Sequence, residues 1–513
     1  MDGDQCERKR VRDIHPAGGE PSLTNSASAQ YLLDDLPRTL FPMGTTRFLI
    51  EKGEDLLSKH VDEHLRAQPE VAAFQPQAIC YAAKKDFLLR RTLKLDPFAD
   101  LFLYDLVHRN RARFRKDHRP NRRSFGYRFE NGKPVSPMTS YRDFRSAVQT
   151  ARQEYDYTLR SDVALYFNSI YHHDLVAFVS EAGWDGLDVQ HLGKFLREIN
   201  SGRSIDCLAH GLNPSKTLGA EFLKFVDDNA LLRSPLTLRF LDDIYVFADS
   251  IDDLTGDLLT IQELLGQKGL SLNASKTVLG QGAEATVEHT IDKIKKGLLQ
   301  IRQTEIEVSG ELVTISKISH RSLTKRQTGY LLELLRNPEI DEADAELVLT
   351  LLTEHGQEVL KHLTTILPKF PVLAKSLYAY LGKSGSLAGL DDVVLQFVKD
   401  ISLATEYQLF WIACIAEEYL RDSQKYGDVL AALLGHPNAS VLSRARVLEI
   451  PEHRFGMRDM RVQQLRSGES NWLTWAAAVG CRNQTPQSRN HVLGYAGNSS
   501  PLNRVITEIV ARV

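Results

Sequence analysis

The stretch Leu236 to Ala248, Leu-Thr-Leu-Arg-Phe-Leu-Asp-Asp-Ile-Tyr-Val-Phe-Ala, constrains this chain more than any other. Two β-prone runs, Leu236–Leu241 and Ile244–Ala248, flank only Asp242 and Asp243, and that spacing predicts a hairpin. Two-residue hairpin turns need positive φ and favour Asn-Gly, Asp-Gly or a leading glycine. Asp-Asp departs from that preference and sets two like charges side by side. Adjacent carboxylates repel unless something positive lies between them, and a divalent cation is the natural candidate. A lone Asp-Asp is usually a solvated acidic turn, so its meaning depends on what else the chain supplies.

A chain of 513 residues is too long for one ordinary core, so two or three domains are expected. With 63 basic and 66 acidic residues, overall charge selects no partner. The five cysteines are scattered, odd in number and form no Cys-x-x-Cys pair, which excludes a disulfide framework and a zinc site and fits a cytoplasmic protein. No apolar run approaches membrane-spanning length, and the polar N-terminus lacks the apolar core of a secretory signal.

Residues 1–30 are expected to be a flexible tail, with one short basic cluster at Arg8, Lys9 and Arg10. Lys84, Lys85, Arg90 and Arg91 precede an apolar run, Phe98 to Val107. Between Arg109 and Arg128 nine Lys or Arg face one acid, Asp117, with Phe114, Phe125, Tyr127 and Phe129 interleaved. Basic groups bind phosphates and aromatic faces stack bases, so this run is expected to bind a polyanion through Arg113, Arg115, Arg122 and Arg123. Thr158 to Ile170 reads as a buried strand carrying one carboxylate, Asp162, followed by a helix from His172 to Ala182. His172 and His173 are adjacent rather than a helical turn apart, so they do not share one metal.

Gly211-Leu212-Asn213-Pro214-Ser215-Lys216 is a turn-rich loop leading into an amphipathic helix. Beyond the Asp-Asp hairpin lie a helix with Leu254, Leu258, Ile261 and Leu265, then Gly269-Leu270-Ser271-Leu272-Asn273 and Lys276. Glu305 to Ile315 reads as a small hairpin turning at Ser309-Gly310. After about residue 320 Leu, Ala and Val recur at helical spacing, with breaks at Gly, Pro or Asn. That pattern predicts stacked antiparallel helices or a compact helical bundle.

Taken in order, these motifs resemble the palm of reverse transcriptases. Asp162-Val-Ala-Leu-Tyr166-Phe167 resembles the first carboxylate motif, Gly211-Leu212-Asn213-Pro214-Ser215 takes the place of the glycine-containing substrate loop, and Phe240-Leu241-Asp242-Asp243 resembles the aromatic-x-Asp-Asp hairpin. Gly269-Leu270, Asn273 and Lys276-Thr277 match the motif that follows. Together with Arg91-Thr-Leu-Lys-Leu-Asp-Pro and the late Ser470-Asn-Trp-Leu-Thr-Trp, the arrangement is most similar to abortive-infection (Abi) polymerases and related bacterial antiphage reverse transcriptases. The resemblance covers residues 80 to 280 well and the remainder by architecture alone.

The resemblance implies an α+β fold: reverse-transcriptase-like fingers and palm over residues 31–315, then an all-α HEAT-like domain over 316–513. It implies a DNA polymerase using Mg²⁺, with Mn²⁺ as the alternative, held at Asp162, Val163, Asp242 and Asp243. Lys276 would act on the leaving pyrophosphate. Lys84, Lys85, Arg90, Arg91 and Gly211 would bind the nucleotide, and Phe167 would exclude a 2′-hydroxyl. Deoxynucleoside triphosphates, a single-stranded DNA product, RNA and further copies of the chain are the implied partners. Asn213, Pro214 and Ser215 depart from the usual Pro-Gln-Gly, which puts template clamping in doubt and suits template-independent, protein-primed synthesis. Tyr31, the first tyrosine after the tail, is the candidate acceptor. Two alternatives stand beside this reading: an RNA-templated reverse transcriptase in antiphage defence, and a nucleic-acid-binding scaffold with an inactive polymerase site.

Overall fold

The computed structural model describes residues 26–66, 72–115, 119–201, 208–281, 295, 298 and 323–513. The basic cluster at Arg8–Arg10, the Ser309-Gly310 hairpin and the boundary at 315/316 lie outside the described residues. Residues 26–30 of the expected tail are helical: Ser26–Asp35 is a helix, α1, and buries Ala29, Tyr31 and Leu32.

Helix α2 (Gly44–Arg66) follows, then a hairpin of β1 (Ala78–Ala83) and β2 (Leu89–Lys94). Asp96 caps helix α3 (Pro97–Arg109) by accepting from the amides of Phe98 and Ala99. Capping satisfies backbone donors that a helix start leaves unpaired. From Pro97 to His108 every residue of α3 is buried, so this helix is an axis of the N-terminal core.

Strands β3 (Arg122–Ser124), β6 (Tyr157–Asp162), β7 (Leu236–Phe240), β8 (Asp243–Ala248) and β9 (Val278–Gln281) form one sheet in the order β3-β7-β8-β6-β9. β3 runs parallel to β7 and the other pairings are antiparallel. Two further short strands, β4 (Phe129–Glu130) and β5 (Lys133–Pro134), make a separate hairpin. Strand side chains alternate between faces. Leu238 and Phe247 pack against helix α4 (Pro137–Glu154) through Phe144, Val148 and Ala151. Leu159, Ile244 and Val246 join the main core on the other face. The expected strand through Ile170 stops at Asp162, because Tyr166–Asn168 turn into a short 3₁₀ segment.

Helices α5 (His172–Glu181) and α6 (Gly186–Ile199) precede α7 (Asn213–Phe222), α8 (Lys224–Asp227) and α9 (Ile251–Gly266). Asn213, Pro214 and Ser215, expected in a loop, form the first turn of α7, where proline is tolerated because the missing amide would be unpaired anyway.

From Lys325 on the described chain is helical: α10 (Lys325–Arg336), α11 (Glu342–Leu351), α12 (Gly356–Lys369), α13 (Ala374–Ser384), α14 (Leu390–Asp400), α15 (Glu406–Tyr419), α16 (Tyr426–Gly435), α17 (Val441–Leu448), α18 (Met457–Ser467), α19 (Asn471–Gly480), α20 (Pro486–Leu493) and α21 (Pro501–Ala511). Helices α11, α13, α15, α17, α19 and α21 pack one on the next to make an inner layer, and α10, α12, α14 and α16 stack outside it. This is a stacked two-layer array rather than a compact bundle. Among the described residues no helix is long and apolar enough to cross a membrane.

The inner layer carries the N-terminal unit. Phe41 packs edge-on against Tyr407 and Phe410 of α15, and α21 packs along α2. Lys375 donates to the carbonyls of Arg38 (2.9 Å) and Thr39 (3.2 Å). Glu449 accepts from the Gly44 amide (2.8 Å), the Thr45 amide (2.6 Å) and the Thr45 hydroxyl (2.7 Å), and pairs with Arg446 at 3.1 Å. A carboxylate there answers the unpaired amides and positive end of α2 from another domain. Glu449→Ala, which leaves those amides and Arg446 short of a buried partner, is expected to cost about 3 kcal/mol in urea unfolding, with Glu449→Gln closer to wild type. Equal midpoints for all three proteins would contradict this.

Candidate active site

The hairpin sits one residue earlier than the sequence spacing suggests. Phe240 pairs with Asp243, so the two turn residues are Leu241 and Asp242, and Asp243 begins β8. Leu241 has φ +55°, the left-handed conformation that a two-residue turn demands and that a branched residue resists. The compensation comes from Arg239, fully buried in β7, whose Nη1 donates to the Leu241 carbonyl at 2.9 Å. Its Nε and Nη2 hold Asp227 at 2.9 and 2.5 Å. Neither Arg239 nor Asp227 was singled out by the sequence patterns; a charged residue inside an apolar strand is the one signal that could have flagged Arg239.

β6 and β8 pair so that Asp162 lies directly opposite Asp243. The Val163 amide donates to the Asp242 carbonyl at 3.3 Å, which ties the hairpin turn to the strand that carries Asp162. The segment after α9 closes the other side. The Asn273 amide donates to the Asp162 carbonyl (2.7 Å), its side chain to Asp162 Oδ2 (3.3 Å), and Lys276 Nζ reaches the same oxygen at 3.0 Å. Asp162, Asp242, Asp243 and Lys276, spread over more than a hundred residues of sequence, are thus brought together.

Charge at this point is badly compensated. Burial, with Asp162 and Asp243 nearby, pushes the Asp242 carboxyl up to about 6. Burial and Asp162 raise Asp243 as well. The nearby cations are Arg160, which faces Asp243, and Lys276, Lys84 and Arg90. Burial, then Arg90 and Lys276, lower the Lys84 ammonium, while Asp162 and Asp242 oppose that. Burial lowers Arg90, and Asp242 opposes it. Among the described residues no three His, Cys, Asp or Glu side chains converge on one metal position. Mg²⁺ does not require that: one or two carboxylates suffice when substrate phosphates and water fill the remaining positions. A crowded, under-neutralised trio with cations set a short distance away fits a metal that arrives with a nucleotide.

The four expected nucleotide-binding cations divide. Arg90 and Arg91 lie on opposite faces of β2, paired with Ala82 and Tyr81. Arg90 turns inward, its Nη1 2.8 Å from His210 Nε2. Arg91 lies on the opposite face of β2, in register with Tyr81. Lys84 joins the charge system of Asp162 and Asp242, whereas Lys85 acts on Glu342 of the helical array. Gly211 has φ +98°, and its turn swings the chain past Leu40 into α7. Phe167 is buried, its ring 4.9 Å from that of His210. His210 touches two predicted site residues, yet no pattern in the sequence marks it.

The structure bears on two further expectations. Of the aromatics in the basic run, Phe114, Phe125 and Phe129 are buried, and the half-buried Tyr127 lies under the Lys216 ammonium. Many of its arginines are structural: Arg109 holds Asp105 and Asp188, Arg119 holds Asp228, and Arg128 donates to Ser140. Among the four nominated, Arg122 donates to the Leu232 carbonyl (3.2 Å), Arg113 to the Ala182 carbonyl (2.9 Å), and Arg123 lies over the Phe125 ring; Arg115 is exposed. Lys116 and Asp117 lie outside the described residues. Tyr31, the candidate acceptor, belongs to the folded core: it is packed edge-on against Tyr104 and Phe129, and burial raises its phenol far above the ordinary value. A phenol so enclosed does not reach the carboxylates without unfolding α1.

No protein-family model matches the chain, and no curated protein is similar to it. Among solved structures, it is similar to apo telomerase from Candida tropicalis, at 11% identity over 74% of this chain and 73% of that one, with TM-score 0.30. The same enzyme with a TWJ fragment of telomeric RNA matches at 12% identity, covering 75% and 68%, TM-score 0.30. Telomerase from Candida albicans with that RNA fragment matches at 10%, covering 75% and 70%, TM-score 0.26. A likeness of this size assigns no activity.

The raised Asp242 carboxyl gives a pH signature. An acid whose folded pKa lies above its unfolded value binds protons more tightly when folded. Stability in metal-free buffer therefore falls as pH rises from about 4 to about 6, by an amount on the order of 1–2 kcal/mol after allowance for solvent. Asp242→Asn should flatten that slope and raise stability at pH 7. A variant with the wild-type slope would contradict the crowding of these carboxylates.

Proposed function

We propose that this chain is a metal-dependent nucleotidyltransferase that polymerises deoxynucleotides. The observation that carries this reading is the meeting of Asp162, Asp242 and Asp243 at one end of a β-sheet, with Lys276 bonded to Asp162 and Arg90 and Lys84 set on the facing hairpin. Nucleotidyl transfer needs an attacking oxygen, an in-line phosphate and compensation of the charge that develops between them. Asp162 and Asp242 would hold Mg²⁺, with Asp243 supporting the pair. Bound there, the metal would supply activation of the attacking hydroxyl and neutralisation of the phosphate oxygens.

The chain's own groups do the rest. Arg90 offers two parallel N–H donors to phosphate oxygens. Lys84 adds a point charge on the same side. Lys276 stands where it can neutralise or protonate departing pyrophosphate. Phe167 walls the sugar position and disfavours a 2′-hydroxyl by bulk.

Template-independent synthesis from a protein hydroxyl, in a cytoplasmic antiphage system built from several copies of the chain, is the setting that the family resemblance implies. The start of α7 supports the first part. Asn213, Pro214 and Ser215 are buried in a helical turn, and the Asn213 amide donates to Asp35 at 2.8 Å. Segments so enclosed offer little to a template strand. Protein priming would use an acceptor other than Tyr31.

Purified protein incubated with Mg²⁺ and each labelled deoxynucleoside triphosphate, without template or primer, should yield product on a denaturing gel. Treatment with protease should shift that product. Asp242→Ala with Asp243→Ala should abolish incorporation, a loss of at least a thousandfold, while circular dichroism and melting stay at or above wild type. Wild-type rates in the double variant would refute the site.

A further inference from the structure

We propose that His210 is a positioning residue that fixes two nucleotide contacts at once, Arg90 for the triphosphate and Phe167 for the sugar. This rests on the nucleotidyltransferase reading and adds to it the residue that sets substrate affinity and sugar selectivity together.

His210 immediately precedes the Gly211 turn and is held from both sides of its backbone neighbourhood. Its carbonyl accepts from the Thr92 hydroxyl on β2 at 3.1 Å. Two residues earlier, the Leu208 amide donates to the Phe167 carbonyl at 2.9 Å. The imidazole therefore sits between the strand that carries Arg90 and the 3₁₀ segment that carries Phe167.

Its two contacts differ in kind. Arginine is only a donor. The 2.8 Å approach of Arg90 Nη1 to His210 Nε2 therefore requires that Nε2 be the unprotonated, accepting nitrogen. The surroundings keep it so: burial, then Arg90, Lys216 and Lys84, push the imidazole down to about 3. His210 is thus a standing neutral acceptor among cations. The second contact is steric. The ring meets Phe167 edge to face at 4.9 Å and 88°.

Phe167 is closed in on its other side by Gly219 of α7. A Cβ at Gly219 would come within 3.1 Å of Phe167 Cε1 and 3.2 Å of Tyr166 Cε1. The Tyr166 hydroxyl donates to the Gly219 carbonyl at 2.6 Å, which holds α7 at that approach. The Phe167 ring is therefore clamped between a helix backbone that cannot yield and the His210 imidazole. Removing the imidazole frees the ring on one side and leaves the Arg90 guanidinium without its acceptor.

Because the two contacts are chemically distinct, substitutions separate them. His210→Gln keeps an acceptor and loses the aromatic edge. His210→Phe keeps the edge and loses the acceptor. His210→Ala loses both. Each protein would be assayed for incorporation of dGTP and of GTP, with KM and kcat determined separately and melting temperature recorded. Loss of a hydrogen bond that orients a charged group corresponds to about a tenfold change in affinity. The expected result is that His210→Phe raises the KM for dGTP about tenfold with selectivity kept. His210→Gln should lower the dGTP-to-GTP selectivity about tenfold with KM near wild type, and His210→Ala should do both. Wild-type KM and selectivity in all three folded variants would overturn the proposal and leave the active site standing. So would an equal fall in kcat across all three with neither KM nor selectivity moved. Wild-type protein that neither binds nor incorporates dGTP would overturn the nucleotidyltransferase reading, and this proposal with it.

Discussion

The buried Arg239–Asp227 pair is the interaction on which the carboxylate site depends. Both side chains are at most 1% exposed, and the guanidinium also donates an Nη1–H to the Leu241 carbonyl. Burying two charges is costly, and a well-bonded pair recovers that cost only if every donor finds an acceptor. Here the recovered energy is directed at a single carbonyl, in the turn that places Asp242. Without that grip, nothing offsets the cost of the φ +55° that the turn imposes on Leu241. Relaxation of the turn would carry Asp242 away from Asp162 and change the register by which Asp243 faces it.

From this anchor the rest of the molecule follows as support. The β6–β8 pairing opposes Asp162 and Asp243, the loop after α9 adds Asn273 and Lys276, and the β1–β2 hairpin brings Lys84 and Arg90. The hairpin itself rests on the helical array, where Glu406 of α15 accepts from the Tyr81 amide at 3.0 Å. The array thus does more than fill volume. It supports the cation-bearing hairpin, and Glu449 and Lys375 hold it to the N-terminal unit.

How much of this could be read from the sequence depended on how local each cause is. Asp162, Asp242, Asp243, Asn273 and Lys276 were nominated through the family resemblance, and strand pairing with short connections brings most of them to one end of the sheet, Asp242 needing the Arg239 anchor besides. The helix starts after residue 320 were legible because apolar periodicity and capping residues such as Thr405 and Ser470 are local. The turn register was not, because Arg239 acts on Leu241 through a partner twelve residues away. Charge density in the arginine-rich run did not say which groups face water, because Arg109 and Arg119 pair with Asp188 and Asp228, far along the chain, while Arg113 and Arg115 are exposed. Helices α18 and α20 are not marked by apolar periodicity; in the polar α18 the fully buried Arg461 donates to the Leu448 carbonyl at 2.7 Å and the Glu452 carbonyl at 2.5 Å instead of facing water. Tyr31 could be placed next to the tail from sequence, but its enclosure could not, because Tyr104 and Phe129 come from far along the chain.

The central claim is that three mutually repelling carboxylates, fixed by the Arg239 anchor, form a site for divalent cations that is completed by a nucleotide. Mn²⁺ titration followed by electron paramagnetic resonance, with and without dGTP, tests it most directly. The wild-type protein should bind Mn²⁺ weakly alone and much more tightly once dGTP is present. Asp162→Asn with Asp242→Asn should lose that enhancement, and Arg239→Met should weaken it although Arg239 touches no carboxylate of the trio. Mn²⁺ binding that is indifferent to dGTP and unchanged in both variants would contradict the account.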